Sequence, residues 1–131
     1  MVKKSFVAKS AATLTAVELE MMNVIWRIGP CSVAQVREEL LPERELAYTS
    51  VSTMVRILEQ KGYVTSEKEG RGHLYSAAVS REDYQRNSLK QFVSTVFEDT
   101  PSLLVRRLLD SGSLTTEELA QIKSILRRKG I

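Results

Sequence analysis

The sequence predicts a mainly α-helical protein in which a small β-hairpin follows three short helices and precedes three more. Two observations support this prediction. Helix starts are marked repeatedly by Ser or Thr followed three residues later by Glu, Gln or Asp, as in the capping box, where both side chains satisfy free backbone N–H groups. Apolar residues recur at helical spacing except over residues 63–77, where two short stretches flank a glycine-rich turn.

The first three predicted helices form one group. The first covers residues 16–28, with a capping box from Thr15 and Glu18 and a stop at Gly29-Pro30. Its polar side chains lie in one narrow stripe, so we expect it to be the central buried helix. The second covers residues 33–41. The third covers residues 50–61, and its inward-facing residues are Val51, Met54, Val55 and Leu58.

The hydrophobic period changes after the third helix. Residues 63–68 and 73–77 are predicted strands, and residues 69–72, Glu-Gly-Arg-Gly, are the turn of a hairpin. Three short helices followed by a hairpin have the element order of a winged helix-turn-helix. We therefore predict a winged-helix head with a small β-hairpin wing at residues 14–79, preceded by a flexible N-terminal tail at residues 1–13.

Residues 80–131 contain three predicted amphipathic helices, at residues 81–98, 102–109 and 116–129. Three helices in about 50 residues make too small a core to be stable alone. We therefore predict a C-terminal helical dimerisation tail that pairs with a second copy of the chain. The predicted dimer contacts are Phe92, Val93, Val96, Phe97, Leu104, Leu108, Leu119, Ile122 and Leu126.

The outer face of the third helix carries short hydroxyl side chains and one arginine, Arg56. Such a face can lie close in the major groove of DNA, where an arginine can donate two hydrogen bonds to guanine. Arg71 stands between two glycines at the wing tip, where a cation typically meets the DNA backbone. The alternative is an ordinary solvated surface. The predicted DNA-binding residues are Tyr48, Thr49, Ser50, Ser52, Thr53, Arg56, Lys68, Arg71 and His73.

Enzymatic and cofactor-dependent functions find no support in the sequence. There is no glycine-rich phosphate loop, and His73, the single histidine, has neither an evident orienting carboxylate nor the partners of a zinc site. We expect no catalytic residue, no metal, no cofactor and no cluster of polar residues that would form a small-molecule pocket.

Composition favours a cytoplasmic protein. No apolar stretch approaches the roughly 18 residues that span a bilayer, so we expect no membrane insertion, and the N-terminus has no secretory signal. Cys31 is the only cysteine, which fits a reducing compartment. We interpret it as a packing residue before a helix start, with a redox sensor as the alternative. The net charge of +3 does not by itself establish nucleic-acid binding.

Several segments, in order along the chain, resemble the penicillinase-repressor family of BlaI, MecI and CopY-type regulators. The segments are Leu14-Thr15, Glu18-Leu19-Glu20, Val24-Ile25-Trp26 and Gly29-Pro30, then residues 48–54 and 58–64, then Glu69-Gly70-Arg71 with Tyr75, Val79-Ser80-Arg81-Glu82 and residues 114–119. The resemblance extends from Leu14 to the end of the chain. Any one segment is weak, but the combination is specific.

This resemblance implies a winged-helix head, a helical dimerisation tail and a role as a transcriptional repressor. It implies double-stranded operator DNA with inverted repeats of the TACA/TGTA type as one partner and a second copy of the chain as another. In antibiotic-resistance members a membrane metalloprotease receptor triggers cleavage of the tail, so that sensor or its effector protease is a further implied partner.

Three departures from the family pattern bear on these implications. The tail has Arg107-Leu108 where the antibiotic-resistance members have the Asn-Phe pair that is cleaved. Ile57 replaces an arginine common in those members, so the operator can differ. The chain ends in residues 127–131, Arg-Arg-Lys-Gly-Ile, without the Cys-x-Cys of the copper-responsive members.

Two hypotheses of different classes follow. The first is a dimeric repressor, which Arg56, Arg71 and the hydroxyl-rich helix face favour. The second is a winged-helix protein-protein interaction module that does not bind DNA. The modest charge of residues 46–78 slightly favours the second hypothesis. This segment carries four basic and three acidic side chains.

Overall fold

The computed structural model describes residues 14–131, so the predicted N-terminal tail at residues 1–13 lies outside the described residues. The described residues form six helices and one two-stranded antiparallel sheet, which confirms the predicted fold class. The elements are α1 (Ala16–Ile28), α2 (Val33–Leu40), α3 (Tyr48–Gln60), β1 (Val64–Glu69), β2 (Gly72–Ala77), α4 (Arg81–Val96), α5 (Pro101–Asp110) and α6 (Thr116–Arg128).

Two compact units make up the chain, and their boundary lies between Asn87 and Ser88, inside α4. The boundary expected from the sequence lay at Val79, before this helix begins. The first turns of α4 therefore belong to the same compact unit as the winged-helix elements. None of the helices within residues 14–131 is long and apolar enough to cross a membrane.

Helix α1 has the bounds that its sequence signals predict. The Thr15 hydroxyl accepts a hydrogen bond from the Glu18 N–H at 3.1 Å, and a Glu18 carboxylate oxygen accepts from the Thr15 N–H at 2.9 Å. The helix ends at Gly29, whose φ of 80° is a conformation that favours glycine. Met21 and Met22 are fully buried, which confirms that α1 is a central helix of the core.

Helix α3 begins two residues before its predicted start. Its N-cap is Ala47, which has no side chain to bond a free N–H, so the sequence carries no cap signal there. The loop that leads into α3 is held instead by distant contacts. Arg44 forms two hydrogen bonds to the Glu20 carboxylate, at 2.7 and 2.9 Å, and Arg37 Nε donates to the Leu46 carbonyl at 2.7 Å.

The hairpin is anchored to the helices at its base. β1 and β2 pair in an antiparallel register that places Lys68 opposite His73. Cys31 lies in a short bridge to β2, where its N–H donates to the Tyr75 carbonyl at 3.0 Å and the Tyr75 N–H donates to the Cys31 carbonyl at 2.8 Å. Cys31 is fully buried, and burial raises the pKa of its thiol, so the structure favours the packing interpretation over the redox sensor.

The core of the first unit is built from α1, α2, α3 and the base of the hairpin. Val51, Val55 and Leu58 of α3 are fully buried, while Met54 packs against the core and remains partly exposed. The other buried hydrophobic residues of this core are Leu14, Met21, Met22, Val24, Ile25, Cys31, Val33, Val36, Leu40, Tyr63, Val64, Tyr75 and Val79.

The second unit, residues 88–131, has the predicted helices but little interior of its own. The capping box of α6 is present, with the Glu118 N–H donating to the Thr115 hydroxyl at 3.0 Å. α4 ends at Val96, two residues before its predicted end, because Glu98 and Asp99 adopt positive φ angles of 51° and 60°. Val93 is the only residue among 88–131 that is buried.

Candidate nucleic-acid interface

Helix α3 presents one polar face away from the core. Thr49, Thr53 and Arg56 are exposed on the side opposite the buried valines. Arg56 Nη2 makes a long hydrogen bond of 3.4 Å to Ser52 Oγ, one helical turn earlier. Because this bond is long and exposed, exchanging it for another acceptor costs the guanidinium little free energy.

The wing places one cation at its tip. Arg71 follows Gly70, whose φ of 58° lets the turn close, and both residues are exposed. Lys68 and His73 are exposed and pair with each other at the second register position from the turn. The wing also carries Glu67 and Glu69 on its surface, so its charge is mixed.

A polar groove of about 270 Å³ lies between the helices and the wing. Its walls are the first turn of α2, the start of α3 and strand β2. Sequence reasoning missed the groove because three separate parts of the chain meet there. Its lining residues are Ser32, Val33, Ala34, Tyr48, Ser52, Glu69, Arg71, Gly72, His73, Leu74 and Tyr75.

The groove brings together four of the predicted DNA-binding residues, namely Tyr48, Ser52, Arg71 and His73. One wall is the N-terminal turn of α2, where the Gln35 N–H already donates to the Ser32 hydroxyl. The remaining N–H groups of that turn and the helix dipole favour an anion. Arg71 adds a positive charge, whereas Glu69 places a carboxylate on the same wall. The chemistry of the groove therefore suits one phosphate group that avoids the Glu69 side.

The other predicted residues lie on two neighbouring surfaces. Thr49, Ser50 and Thr53 line a shallow open depression on α3 together with Met54. Lys68 is on the wing outside the groove. The structure thus separates a hydroxyl-rich helix surface from a groove of mixed charge.

A partly buried ion pair lies at the C-terminal end of α3. The local sequence pattern predicts only the capping role of one member, Glu18. Lys61 Nζ lies 2.9 Å from Glu18 Oε1, and the Glu18 side chain is only 6% exposed. Burial would raise the pKa of this carboxyl. The hydrogen bond from the Thr15 N–H and the nearby Lys61 ammonium favour the charged carboxylate more strongly than burial disfavours it, so the pKa is lowered overall. The pair ties the end of α3 to the start of α1.

We expect the Glu18 pair to make stability fall at acid pH. Because the folded-state pKa of Glu18 lies below its ordinary value of 4.5, the contribution of the carboxylate is full above that value and is lost as the pH falls through the folded pKa. Urea unfolding from pH 7 to about pH 3 should show a steeper loss for wild type than for Glu18→Gln. At pH 7, Lys61→Met should cost about 1–3 kcal/mol, because it removes the cation from a buried carboxylate.

Glu39→Gln is the matched control for this experiment. It removes a carboxylate of the same type from the exposed pair with Arg27, at 2.9 Å, and exposed pairs contribute little. It should leave the loss of stability between pH 7 and about pH 3 (the acid limb of the stability curve) as in wild type. Equal acid limbs for wild type and Glu18→Gln would show that the buried pair does not contribute.

Comparison with known proteins identifies similarity over nearly the whole described chain. The family model described as penicillinase repressor matches residues 14–128. The penicillinase repressor of Bacillus licheniformis is 27% identical over 118 residues, which cover 90% of this chain and 92% of that protein. The methicillin resistance regulatory protein MecI of Mammaliicoccus sciuri is 24% identical over 116 residues, which cover 88% and 94%.

Among solved structures, this chain is similar to the solution structure of the DNA-binding domain of the repressor BlaI. The TM-score is 0.50 at 30% sequence identity, and the match covers 55% of this chain and 88% of that one. The similarity supports the winged-helix assignment of the head independently of the helix and strand order.

Proposed function

This chain belongs to the penicillinase repressor family, whose members are transcriptional repressors and not enzymes, and on that premise we propose that it represses as a homodimer bound to an inverted-repeat operator. The observation that carries the proposal is the polar face of α3, exposed beside a wing that ends in Arg71. Binding there would occlude the promoter, and it would place the protein with the DNA in the cytoplasm.

In this proposal α3 enters the major groove. Thr49, Ser50 and Thr53 have short side chains that let the helix approach closely and bond phosphates or base edges, and Arg56 reaches far enough for a bidentate contact with guanine. The support for this placement is geometric. On the opposite face Val51, Val55 and Leu58 are fully buried, so the polar face is the one available to the DNA.

The groove and the wing would hold the phosphate backbone. Tyr48 and Ser52 can donate hydroxyl hydrogen bonds to a phosphate in the groove, where Arg71 and His73 also lie. Lys68 would meet the backbone further along the wing. Such contacts set register and affinity and carry little sequence information.

The second unit would supply the dimer contact. Large apolar side chains of the unit remain about half exposed, among them Phe92 at 48% and Leu108 at 43%. Val93 is already buried within the chain, so its exposed neighbours are the better candidates. Val96, Leu119 and Leu126 are exposed as well, and Phe97, Leu104 and Ile122 are partly exposed.

Relief of repression would act through the tail. A cut in α5 between the exposed Arg107 and Leu108 would remove Leu119, Ile122 and Leu126 from the head and leave the dimer contact incomplete. Two separate heads bind weakly because they lose the effective concentration that the link supplies. A membrane-bound sensor or its effector protease is the proposed source of the cut.

Sequencing of the genomic DNA that the full-length protein retains tests the proposal directly. We expect enrichment of one inverted repeat, and a gel shift on that sequence that a scrambled duplex does not give. The alternative, a protein-interaction module, predicts no enriched sequence and equal, weak binding to both duplexes. That result would overturn the repressor assignment for this chain.

Arg71→Ala is expected to weaken binding to operator DNA and to scrambled DNA to a similar degree. Removing a phosphate contact lowers affinity without lowering sequence preference. The slope of log K against log salt concentration should fall by about one unit for each phosphate that Arg71 no longer neutralises in each half-site. Binding isotherms at several salt concentrations measure this slope.

Arg128→Ala is the matched control, since it removes an equal charge from an exposed position in the second unit. It should leave the salt slope as in wild type. If Arg71→Ala also leaves the slope unchanged, the wing tip does not contact phosphate.

A further inference from the structure

A side-chain hydrogen bond joins α3 directly to the wing. The Ser66 hydroxyl of β1 donates to the Glu59 carboxylate of α3, with 2.7 Å between Oγ and Oε2. Both side chains are partly exposed, and neither residue belongs to the predicted DNA-binding set. A hydrogen bond to an ionised carboxylate is roughly twice as strong as one between neutral groups, so this contact can hold the two elements together.

Strand pairing places this contact on the face of the hairpin that meets α3. Ser66 lies opposite Tyr75 in the register, and residues directly opposite each other point to the same face of a sheet. Tyr75 is only 6% exposed. Burial raises the pKa of its hydroxyl, and Glu59 raises that pKa further whereas Arg56 lowers it, so the hydroxyl lies within electrostatic reach of the same stretch of α3.

The same register position is also held at the other strand of the hairpin. Cys31 exchanges two backbone hydrogen bonds with Tyr75, at 3.0 and 2.8 Å. The chain just before β1 is held separately, because the Tyr63 N–H donates to the Leu58 carbonyl at 3.0 Å. Ser66 therefore gives β1 a second fixed point, three residues along the chain from the first, and two points define the direction of a strand.

The tip of the wing amplifies any tilt at this position. A strand rises about 3.3 Å per residue, so Arg71 lies four residues and roughly 13 Å beyond Tyr75. A tilt of about 10° there moves the tip by about 2 Å, which is more than the length of a good hydrogen bond varies. Lys68 and His73, which pair with each other between the contact and the tip, would move with it.

We propose that the Glu59–Ser66 hydrogen bond is a positioning contact, which fixes the wing beside α3 so that both engage one half-site together. Neither side chain needs to touch the DNA, since they act through Arg71 at the wing tip. The inference rests on the DNA binding proposed above, in which α3 reads bases and the wing tip meets a phosphate. It concerns one head on one half-site and does not depend on the dimer.

A purely structural role for this contact predicts different behaviour. Loss of the Ser66 hydroxyl would then lower the fraction of folded protein and weaken binding to every duplex, with the salt dependence unchanged. Its effect would also add to that of losing Arg71, because the effects of independent sites are additive. A positioning role removes the phosphate contact although Arg71 is present, so the salt dependence changes and the two losses do not add.

The experiment measures binding of the full-length chain to one arm of the operator recovered from genomic DNA, at several salt concentrations. For Ser66→Ala we expect the slope of log K against log salt concentration to fall by about one unit, as for Arg71→Ala on the same arm. The double variant that combines Ser66→Ala with Arg71→Ala should bind no more weakly than Arg71→Ala alone.

Two further variants show whether the hydroxyl itself is responsible. Ser66→Thr keeps the hydroxyl and should have the wild-type slope. Thr65→Ala removes a hydroxyl from the neighbouring position of β1, whose side chain points to the opposite face of the hairpin. It is the matched control and should also have the wild-type slope.

A pair of variants tests the contact from the helix side, and it decides the question even if Ser66→Ala does not fold. Glu59→Gln and Glu59→Leu remove the same negative charge, but only glutamine keeps an oxygen that can accept from Ser66. We expect the slope of Glu59→Leu to be lower than that of Glu59→Gln by about one unit. Comparison of these two variants cancels the effect of the lost charge.

Equal slopes for Ser66→Ala and wild type, or for Glu59→Leu and Glu59→Gln, would overturn the positioning role. A wild-type slope for Arg71→Ala would overturn it as well, because there would be no phosphate contact to position. If wild type itself does not prefer the recovered arm to a scrambled duplex, the function proposed above fails, and this inference fails with it.

Discussion

Phe92→Lys is expected to weaken binding to the full operator by about 100- to 10,000-fold, the advantage that linking two binding modules supplies. Phe92 is 48% exposed and packs edge to face on Phe97, with 5.5 Å between centroids. A lysine there would bring two ammonium groups into a paired apolar face, where burying a charge is costly. Sedimentation should show a monomer, and binding to a single operator arm should be unchanged.

Gln91→Lys is the matched control for this prediction. It adds the same charge at the neighbouring exposed polar position of α4, and it should leave both the dimer and operator affinity as in wild type. A Phe92→Lys protein that sediments as a dimer would contradict the assignment of the tail as the interface.

The position of the unit boundary changes how the head should be separated from the tail. The boundary expected from the sequence would end the head at Val79 and remove Tyr84, which packs on both Trp26 and Tyr63. Ending the chain after Asn87 keeps these contacts. We expect that shorter protein to be a monomer with the single-arm affinity of the full-length chain, and a head that remains dimeric would contradict a tail-mediated interface.

Local signals in the sequence predict the helix ends well where a capping box is present. Thr15, Ser32 and Thr115 each accept from the N–H three residues later, as predicted, because the pattern and the contact lie within one turn. The predicted start of α3 is wrong by two residues. Ala47 offers no cap, and the bonds that hold the preceding loop come from Arg37 and Arg44, which are distant from any helix-start pattern.

Contacts between distant parts of the chain account for the features that the sequence did not predict. The bridge between Cys31 and Tyr75 joins residues 44 positions apart, and the groove depends on that bridge to hold β2 beside the first turn of α2. The pair of Glu18 and Lys61 joins residues 43 apart. Glu18 carries a clear local signal as a cap, but nothing local reveals that its second role is to bind a cation.

Arg56→Ala is expected to flatten the discrimination between operator and scrambled DNA. Arg56 is the one arginine of α3 and stands on the exposed face beside Thr53 and Ser52. A good bidentate base contact is worth about 1–3 kcal/mol of discrimination, and a dimer makes the contact once in each half-site. Gel shifts on both duplexes at one salt concentration give the ratio of affinities, which should fall by roughly tenfold or more for each base that Arg56 no longer reads.

Arg56→Lys separates the charge of this residue from its hydrogen-bonding geometry. Lysine keeps the positive charge but lacks the planar fork of the guanidinium, so a bidentate site does not accept it as an equivalent. We expect Arg56→Lys to retain affinity for scrambled DNA and to lose much of the preference for the operator. If Arg56→Ala retains the full preference, Arg56 does not read a base. If Arg56→Lys retains it while Arg56→Ala does not, the base contact needs a positively charged donor at this position and does not need the planar fork of the guanidinium.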